Sequence, residues 1–403
     1  MIQLYRRGNA PYQPNKRRLT VLGQYQFEST GGFGLERETL RVDADRKLAQ
    51  TPHPFGEDEH ITRDFCENQI ELITPVCPSV DAAVTSLGEL DAKARAVLAQ
   101  QGEQIWLYSN PPHFQTDEEI PIAQFCGVHT NKRNYREALE RRYGKRLMLY
   151  SGIHFNFSFS EEQLRAYNTE NEDFHAFKDA FYLRLYKQLF RHSWLLVLLT
   201  AASPVYDLSL DGDGLSGTAS EQYSSLRNSE RGYWNQFVPL LDHANLQTFT
   251  AGIQAYVNKG LLFSASELYL PIRLKPCGEN TLENLIENGV DHIELRMFDL
   301  NPLKPLGIDS DDLKFAHLLI LYLASMPDSE FTPLQQEHAV NDHHAAAHYN
   351  PPAWLMARAK EVLLDMMRYF RNDYEALHIL DRQNVKLCGV RYCKHITSEM
   401  IYG

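Results

Sequence analysis

The 403-residue sequence has six cysteines but no C-x-x-C pair. Zinc ribbons and thiol redox sites require closely spaced thiols, so neither kind of site is expected. Sparse cysteine in a long chain is typical of a reducing compartment, and we expect a cytoplasmic protein. The six cysteines are Cys66, Cys77, Cys126, Cys277, Cys388 and Cys393.

The sequence also lacks an excess of positive charge and a long apolar run. Its formal net charge is −12 at pH 7, which argues against a nucleic-acid-binding protein. Residues 1–18 lack the apolar stretch of a signal peptide. The strongest apolar run, Trp194 to Ala202, is far shorter than the roughly 20 residues that span a bilayer. We expect a soluble protein with one large domain over residues 26–403, preceded by a polar, basic arm over residues 1–25.

The stretch from Phe33 to Val42, F-G-L-E-R-E-T-L-R-V, alternates like a strand and carries two acids. Glu36 and Glu38 are two residues apart, so both carboxylates project from the same face. Close carboxylates repel each other and are costly to desolvate unless a cation lies between them. The alternative is a solvated sheet face with Arg37 and Arg41 as neighbours.

Three further strand-like segments place acids or an imidazole on one face. They are Gln69–Thr74 with Glu71, Ser151–Ser160 with His154, and His292–Pro302 with Glu294 and Arg296. The intervening positions are mostly apolar, as expected for an antiparallel sheet with one buried face and one polar face.

The recurrence of acids on these segments indicates a divalent metal site. An oxygen-rich donor set with one imidazole suits Mg²⁺ or Mn²⁺ better than zinc. Magnesium sites usually complete their shell with substrate phosphates, so acids with a nearby arginine favour ATP as co-substrate. The proposed ligands are Glu36, Glu38, Glu71, His154 and Glu294.

A competing candidate is the histidine-rich segment Glu337–His348. His344 and His348 are four apart and could share a helix face, as in H-E-x-x-H zinc sites. However, no glutamate takes the general-base position, and Asn341 and Asp342 favour a turn. A polar, histidine-containing surface is therefore the better interpretation.

Three other features are weaker signals. The loop Asp207–Ser220 contains G-D-G-L-S-G, but the strand and helix of a dinucleotide fingerprint do not flank it. The loop Ser224–Tyr233 carries arginines of the kind that clamp a carboxylate or phosphate, and the alternative is an exposed loop. Cys388 and Cys393 are expected to be ordinary thiols rather than nucleophiles.

Apolar residues at helical spacing predict several helices. One begins at Ser79, and the others span Asn134–Gly144, Asp173–Thr200, Asp309–Ser325 and Pro352–Arg371. The helix over residues 173–200 is rich in aromatic residues and nearly apolar at its end, so we expect it to be central and buried. Residues 374–403 show no clear element.

Seven motifs occur in order: G-L-E-R-E-T-L-R-V, D-F-x-E-x-x-x-E-L-I-T-P, Y-R-E-A-L, S-G-I-H-F-N-F-S, S-S-L-R-N-S-E-R-G-Y, E-L-Y-x-P-I-R and I-E-L-R-x-F-D-L-N-P-x-x-P-x-G-I. Together they resemble the proteobacterial-type glutamate–cysteine ligases. They are also similar to the ligase half of the bifunctional bacterial enzymes that make glutathione. The resemblance runs from about Gly34 to Ile308, and the helical part over residues 309–403 shows little motif match.

The resemblance implies an α+β fold related to glutamine synthetase, with helices packed on the outer face of a curved, mainly antiparallel sheet. It implies that ATP phosphorylates the γ-carboxylate of glutamate and that the cysteine amine displaces phosphate. The product would be γ-glutamylcysteine, in the first step of glutathione biosynthesis. Two or three Mg²⁺ ions, with Mn²⁺ as an alternative, would surround the ATP phosphates.

The resemblance also implies a role for each site residue. The metal ligands would be Glu36, Glu38, Glu71, His154 and Glu294. Glu294 and Arg296 would be catalytic, with Arg296 neutralising charge on the phosphoryl group in transfer. Arg227 would bind the α-carboxylate of glutamate, and Asp64 would help to place the amino acids. The remaining substrate-binding residues would be Tyr135, Leu139, Tyr150, Tyr233 and Tyr269, of which all but Tyr150 would line the cysteine pocket.

Two alternatives remain open. Met148 and Tyr150 depart from the family's pattern just before S-G-I-H, so the first alternative is a ligase of the same mechanism with another donor or acceptor. The second is a non-catalytic regulatory homologue, against which the clustered acids argue. The expected partners are small-molecule substrates only, in a monomer or small homo-oligomer. Since no ATP-grasp domain follows, we expect the chain to stop short of glutathione itself.

Overall fold

The computed structural model describes residues 31–125, 130–168, 170, 173–220 and 222–389. The strands are β1 (Gly31–Val42), β2 (Ile61–Arg63), β3 (Gln69–Ile73), β4 (Gln104–Ile105), β5 (Gly152–Phe159), β6 (Tyr206–Asp207), β7 (Thr218–Ala219), β8 (Ile272–Lys275) and β9 (His292–Asp299). The α-helices are α1 (Val80–Ala99), α2 (Thr130–Tyr143), α3 (Glu161–Tyr167), α4 (Phe174–Thr200), α5 (Leu246–Asn258), α6 (Leu282–Asn288), α7 (Ser310–Ala324), α8 (Pro333–Ala347), α9 (Ala353–Tyr369) and α10 (Tyr374–Gly389). The predicted arm over residues 1–25 and Cys393 lie outside the described residues, so the division into an arm and one domain stays a prediction.

A seven-stranded sheet forms the centre of the fold. Its strands lie in the order β2-β3-β1-β5-β9-β8, and β4 pairs with the end of β1. Within the described residues, the strands of this sheet pair antiparallel. The 12-residue β1 lies between β3 and β5 and contacts both. The predicted α+β class with a mainly antiparallel sheet is confirmed.

The sheet has one apolar face and one polar face because the side chains of β1 alternate. Phe33 and Leu35 are buried in the core, whereas Glu36 and Glu38 project from the opposite face. We call the face with the two glutamates the site face and the other the helix face. The 27-residue α4 packs against β8 and β9 on the helix face, as its composition predicted. Each large apolar side chain buried here contributes roughly 1.5–3 kcal/mol of transfer free energy. Of the described helices, none is sufficiently long and apolar to cross a membrane.

Arg37 and Arg41 are not neighbours of the two glutamates on a solvated face, so that alternative is wrong. Both arginines lie on the helix face and are 1% and 0% exposed. Arg37 pairs with Asp91 of α1, and Arg41 pairs with Glu103 at 2.6 Å. The alternation that directs the glutamates to one face directs the arginines to the other, where buried acids compensate their charge.

Most helix boundaries follow local capping signals. The side chain of Ser79 accepts a hydrogen bond from the N–H of Ala82 at the start of α1, and that of Asp173 accepts one from Ala176 at the start of α4. Asp309 caps α7 in the same way. Gly144 follows α2 with a φ of +75°, a conformation that glycine adopts without steric cost.

Helix α8 contradicts the expected turn at Asn341 and Asp342. A capping box between Thr332 and Gln335 starts the helix, with proline at its first position. Asp342 lies in the helix interior and pairs with Arg358 of α9 at 2.8 Å. Tertiary contacts of this kind outweigh the weak turn preference of single residues.

Helix α10 occupies residues for which the sequence showed no element, so that expectation is wrong. Ala376 and Leu380 are fully buried on one side of it. Gln383 donates a hydrogen bond to Asp312 of α7 at 2.8 Å, and Lys386 pairs with the same carboxylate. The helix is therefore held by contacts with α7 that its own short apolar pattern does not reveal.

One prediction concerns His243, which is 7% exposed and surrounded by aromatic rings. Its ring centroid lies 5.2–5.4 Å from those of Tyr186, Phe249 and Phe331. Burial, and then the charge of Lys187, lowers the pKa of His243 from 6.5 to about 4. The unfolded chain therefore takes up this proton at higher pH than the native protein, and stability falls as the pH drops from 6.5 to 4. The total loss from this group is about 3 kcal/mol.

We expect His243→Phe to reduce the pH dependence of the unfolding free energy between pH 6.5 and 4, measured by urea denaturation. His378→Phe, at an exposed position of α10, is the matched control and should keep the wild-type slope. Equal slopes in the two variants would contradict the assignment.

Candidate active site

Strand register brings polar side chains of four strands together, with acids on three of them. Glu38 of β1 lies opposite Glu71 of β3, and Glu36 lies opposite His154 of β5. Asn156 of β5 lies in turn opposite Glu294 of β9. Directly opposed residues of an antiparallel pair project from the same face, so these side chains form one cluster on the site face.

Glu36, Glu71 and His154 form the centre of this cluster. One donor atom from each lies within 4.8 Å of the others. The Nδ1 atom of His154 is 3.2 Å from Glu36 Oε2, and Asn156 Nδ2 donates to Glu36 Oε1 at 3.0 Å. The other ring nitrogen of His154, Nε2, is buried without a hydrogen bond among the described residues and lies 3.4 Å from Glu38 Oε1. Two carboxylates and one imidazole fit a Mg²⁺ or Mn²⁺ site.

Crowding changes the protonation of the neighbouring acids. Burial, and then the nearby Asp64 carboxylate, raises the pKa of Glu38 to about 8. Burial, and then the charge of Glu36, raises the pKa of Glu71 well above its usual range. Glu38 also accepts a hydrogen bond from the Gly152 N–H at 3.0 Å. The raised pKa values favour the protonated forms of these acids, and a divalent cation would displace such protons on binding.

Glu294 differs from these acids because cations of the chain surround it. It is fully buried, and its carboxylate contacts Arg296, Lys275 at 2.8 Å and Arg273 at 3.6 Å. Although burial opposes ionisation, Lys275 and the two arginines lower the pKa of Glu294 well below its usual range. The Nζ atom of Lys275 also lies 3.3 Å from Glu36 Oε1. Although burial raises the pKa of Glu36, the charge of Lys275 helps to lower it to about 2.

Lys275 and Arg273 were not predicted as site residues from the sequence. They lie in the segment I-R-L-K of β8, where alternation places both on the site face. Arg273 is directly opposite Glu294, and Lys275 is opposite His292. The alternation was a detectable signal, but the position of β8 beside β9 was needed to interpret it.

A β-bulge in β9 positions Arg296. Between Ile153 and Phe155 of β5, the partner residue changes from Phe298 to Leu295, so β9 contains one extra residue. Such an insertion bends a strand and redirects its side chains. Arg296 lies in this extra segment and pairs with Glu294. Burial, and then the charge of Arg296, lowers the pKa of His154 to about 4.

The loop around Arg227 is buried, which rules out the exposed-loop alternative for this residue. Arg227 is 8% exposed and its guanidinium lies against Gly152. A Cβ atom on Gly152 would be 2.3 Å from Arg227 Cζ, so only glycine leaves room for it. The next residue, Asn228, donates to Met297 O at 2.9 Å and to Asp299 at 3.1 Å. These bonds fix the loop to the end of β9 and hold a planar cation beside the acids.

The predicted pocket residues form an aromatic cluster next to the arginines. The ring centroids of Tyr233 and Tyr269 are 4.2 Å apart. Tyr135 and Leu139 belong to the same apolar cluster. A cavity lined by Arg227, Arg296, Tyr233 and Tyr269, among others, connects the arginines with this cluster.

Asp64 and Tyr150 have different positions relative to this pocket. Burial and then the charge of Asp64 raise the pKa of Glu38, and burial, Tyr135 and Asp64 raise that of Tyr233, so the Asp64 carboxylate lies near both residues. Tyr150 instead packs with Tyr206, Tyr223 and Leu226 in a separate cluster. The structure therefore brings the predicted site residues together except for Tyr150.

The histidine-rich segment has a structural role that its sequence did not indicate. His343 of α8 is 1% exposed, with Nδ1 2.9 Å from Ser193 Oγ and Nε2 3.2 Å from Asn228 Oδ1. At this position the segment is a buried support for the Arg227 loop rather than a polar surface. His344 packs edge-on against Trp234. The group of three metal-type ligands found in the described ranges is Glu36, Glu71 and His154, not the histidines of α8.

Known proteins are similar to this chain in sequence and in fold. Residues 19–241 and 214–346 match the family model described as glutamate-cysteine ligase. The glutathione biosynthesis bifunctional protein GshAB of Listeria innocua is 39% identical over 337 residues, which cover 79% of this chain and 43% of that protein. The glutamate–cysteine ligase of Clostridium acetobutylicum is 31% identical over 401 residues, covering 86% of this chain and 80% of that protein. The chain spans about half the length of the bifunctional relatives that it matches.

Two crystal structures have similar folds. A bifunctional glutathione synthetase from Pasteurella multocida matches with a TM-score of 0.81 and 26% identity, covering 93% of this chain and 50% of that chain. A glutamate–cysteine ligase from Francisella tularensis, in complex with AMP, matches with a TM-score of 0.82 and 24% identity. This second match covers 91% of this chain and 84% of the other, and it bears on the fold alone.

The central cluster predicts a measurable metal affinity. Because Glu71→Gln removes one of three donor groups, we expect the Kd for Mn²⁺, measured by electron paramagnetic resonance without nucleotide, to rise at least about tenfold. Glu59→Gln, at an exposed position, is the control and should bind as the wild type does. Unchanged Mn²⁺ affinity in folded Glu71→Gln would exclude this cluster as the metal site.

Proposed function

Because this chain belongs to the glutamate–cysteine ligase family, we propose that it joins the γ-carboxylate of L-glutamate to the amine of L-cysteine at the expense of ATP. The observation that best supports this reaction is the location of a metal-type group on one sheet face beside two arginines, the buried Arg227 and the mostly buried Arg296. The segments that match the family model include every residue of the candidate site. The product would be γ-glutamylcysteine, an intermediate of glutathione biosynthesis.

The proposed reaction has two steps. An oxygen of the glutamate γ-carboxylate attacks the γ-phosphorus of ATP, and the bond from that phosphorus to ADP breaks. The neutral amine of cysteine then attacks the carbonyl carbon of the acyl phosphate, the carbon–oxygen bond to phosphate breaks, and the amine loses a proton. A carboxylate is a poor electrophile, and phosphorylation supplies the leaving group that it lacks.

The metal-type acids support the first step. Glu36, Glu71 and His154 would hold one Mg²⁺ or Mn²⁺ ion, and Glu38 and Glu294 would contribute to a set of two or three. When bound, the ions supply positive charge to the nucleotide phosphates.

The arginines supply fixed charge that needs no rearrangement during the reaction. Arg296 lies beside His154 and Glu294, where it would stabilise charge on the phosphoryl group in transfer. Arg227 presents its guanidinium fork above Gly152, and we assign it to the α-carboxylate of glutamate. Asp64, whose charge acts on both Glu38 and Tyr233, would help to place the amino groups.

The aromatic cluster would bind the acceptor. Tyr135, Leu139, Tyr233 and Tyr269 belong to one apolar cluster, and an apolar surface of this kind would help to keep water from an acyl phosphate. Tyr150 lies in a separate cluster, so we assign it no direct substrate contact. The position of the aromatic cluster beside Arg227 and Arg296 favours an amino-acid acceptor.

The direct test is phosphate release from Mg-ATP and glutamate, with and without cysteine. We expect cysteine-dependent release and a product with the mass of γ-glutamylcysteine. Glu71→Gln, verified as folded by thermal unfolding, should lower kcat on the order of a hundredfold or more because it weakens the metal cluster. Release that does not depend on cysteine would indicate another acceptor. A folded wild-type protein without turnover on any amino acid would overturn the proposal.

A second prediction concerns the contact between Arg227 and Gly152. Gly152→Ala should displace the guanidinium by about 1 Å and lower kcat/KM for glutamate about a hundredfold, mainly through KM. Gly88→Ala is the matched control, since a Cβ there would meet Leu306 at an ordinary 3.6 Å. Steady-state kinetics with varied glutamate makes the comparison, and equal KM values in both variants would remove Arg227 from the glutamate site.

A further inference from the structure

Lys275 connects two acids of the site that lie on different strands. Its Nζ atom is 2.8 Å from Glu294 Oε2 on β9 and 3.3 Å from Glu36 Oε1 on β1. Because β5 and β9 lie between β1 and β8, the lysine side chain reaches across two strands to make the second contact. The Lys275 side chain is 16% exposed, so it is mostly shielded from water.

The contact with Glu294 alone does not account for this lysine. Arg296 and Arg273 already lie next to the Glu294 carboxylate, and burying a further cation is costly unless it gains additional partners. The additional partner is Glu36, a member of the metal-type group. Although burial opposes the charged form, these carboxylates raise the pKa of Lys275 above its usual value.

We propose that Lys275 is a charge-exchange residue of the metal site: its ammonium holds Glu36 and Glu294 in place until the divalent ion binds, and it then moves to a phosphate oxygen of the nucleotide. The ion and the ammonium need the same Glu36 carboxylate, so they compete for it. The second half of the exchange rests on the proposed function, because that reaction brings the phosphates. A lysine on a flexible stem suits such a move better than an arginine fork held by several bonds.

This arrangement predicts opposite effects of one substitution on two ligands. Lys275→Met keeps the length of the side chain but removes its charge. Without nucleotide, Glu36 loses its competing cation, so Mn²⁺ should bind about tenfold more tightly than in the wild type. With Mn²⁺ saturating, ADP should bind at least about tenfold more weakly because its phosphates lose a cation.

The experiment measures both affinities on the full chain, by electron paramagnetic resonance for Mn²⁺ and by calorimetry for ADP. Lys93→Met is the matched control, since Lys93 is a surface lysine that pairs with a single acid, Asp58. It should leave both affinities unchanged. Lys275→Arg keeps the charge and should preserve the wild-type Mn²⁺ affinity. If Lys275→Met does not fold, Lys275→Gln replaces it with the same expectations.

The outcomes separate this proposal from the proposed function. Tighter Mn²⁺ binding together with weaker ADP binding in Lys275→Met supports the exchange. If the wild-type protein shows no ligase turnover, tighter Mn²⁺ binding in the variant still supports the first half of the proposal, while the ligase assignment fails. Weaker or unchanged Mn²⁺ binding in a folded, uncharged variant overturns the proposal, even if the wild type is an active ligase. Unchanged ADP affinity overturns the second half.

Discussion

The repulsion between buried carboxylates on neighbouring strands is the constraint on which the site depends. Register places Glu38 against Glu71 and Glu36 against His154, where water is too scarce to screen the charges. Such a cluster is stable only if the acids keep protons, find cations in the chain or bind metal. The structure shows the first two responses, with protons favoured on Glu38 and Glu71 and with Lys275 beside Glu36. The third response is the one that a ligase would use.

The rest of the fold serves to hold these charges in fixed positions. The sheet supplies the acids, the bulge in β9 aims Arg296 at them, and the missing side chain of Gly152 makes room for Arg227. Helix α8 also contributes, since His343 hydrogen-bonds to Asn228 in the loop that holds Arg227. Each of these supports lies on a rigid element, so little reorganisation is needed when charge develops in the reaction.

Alternation in the sequence was enough to predict which side chains share a face, because that depends on neighbouring residues only. It predicted the faces of Glu36, Glu71 and Glu294, whereas the α+β class of the fold was implied by the family resemblance. It could not predict that Lys275 reaches Glu36, since this contact depends on the order of the strands. The helix α10 was missed for a similar reason: its stability depends on the pairing with Asp312 of α7. The site predictions that rest on family resemblance await the kinetic tests.

The alternation of charge along β1 also has a consequence for folding fidelity. Arg37 meets Asp91 beneath the sheet, while Glu36 meets Lys275 above it. A slip of one residue would turn every β1 side chain to the other face. Arginine would then meet the cations around Glu294, and glutamate would meet the buried aspartate. Misregistered pairings of this strand would thus be electrostatically unfavourable on both faces of the sheet. The charges that prepare the site therefore also favour the native register of the central strand as the sheet assembles.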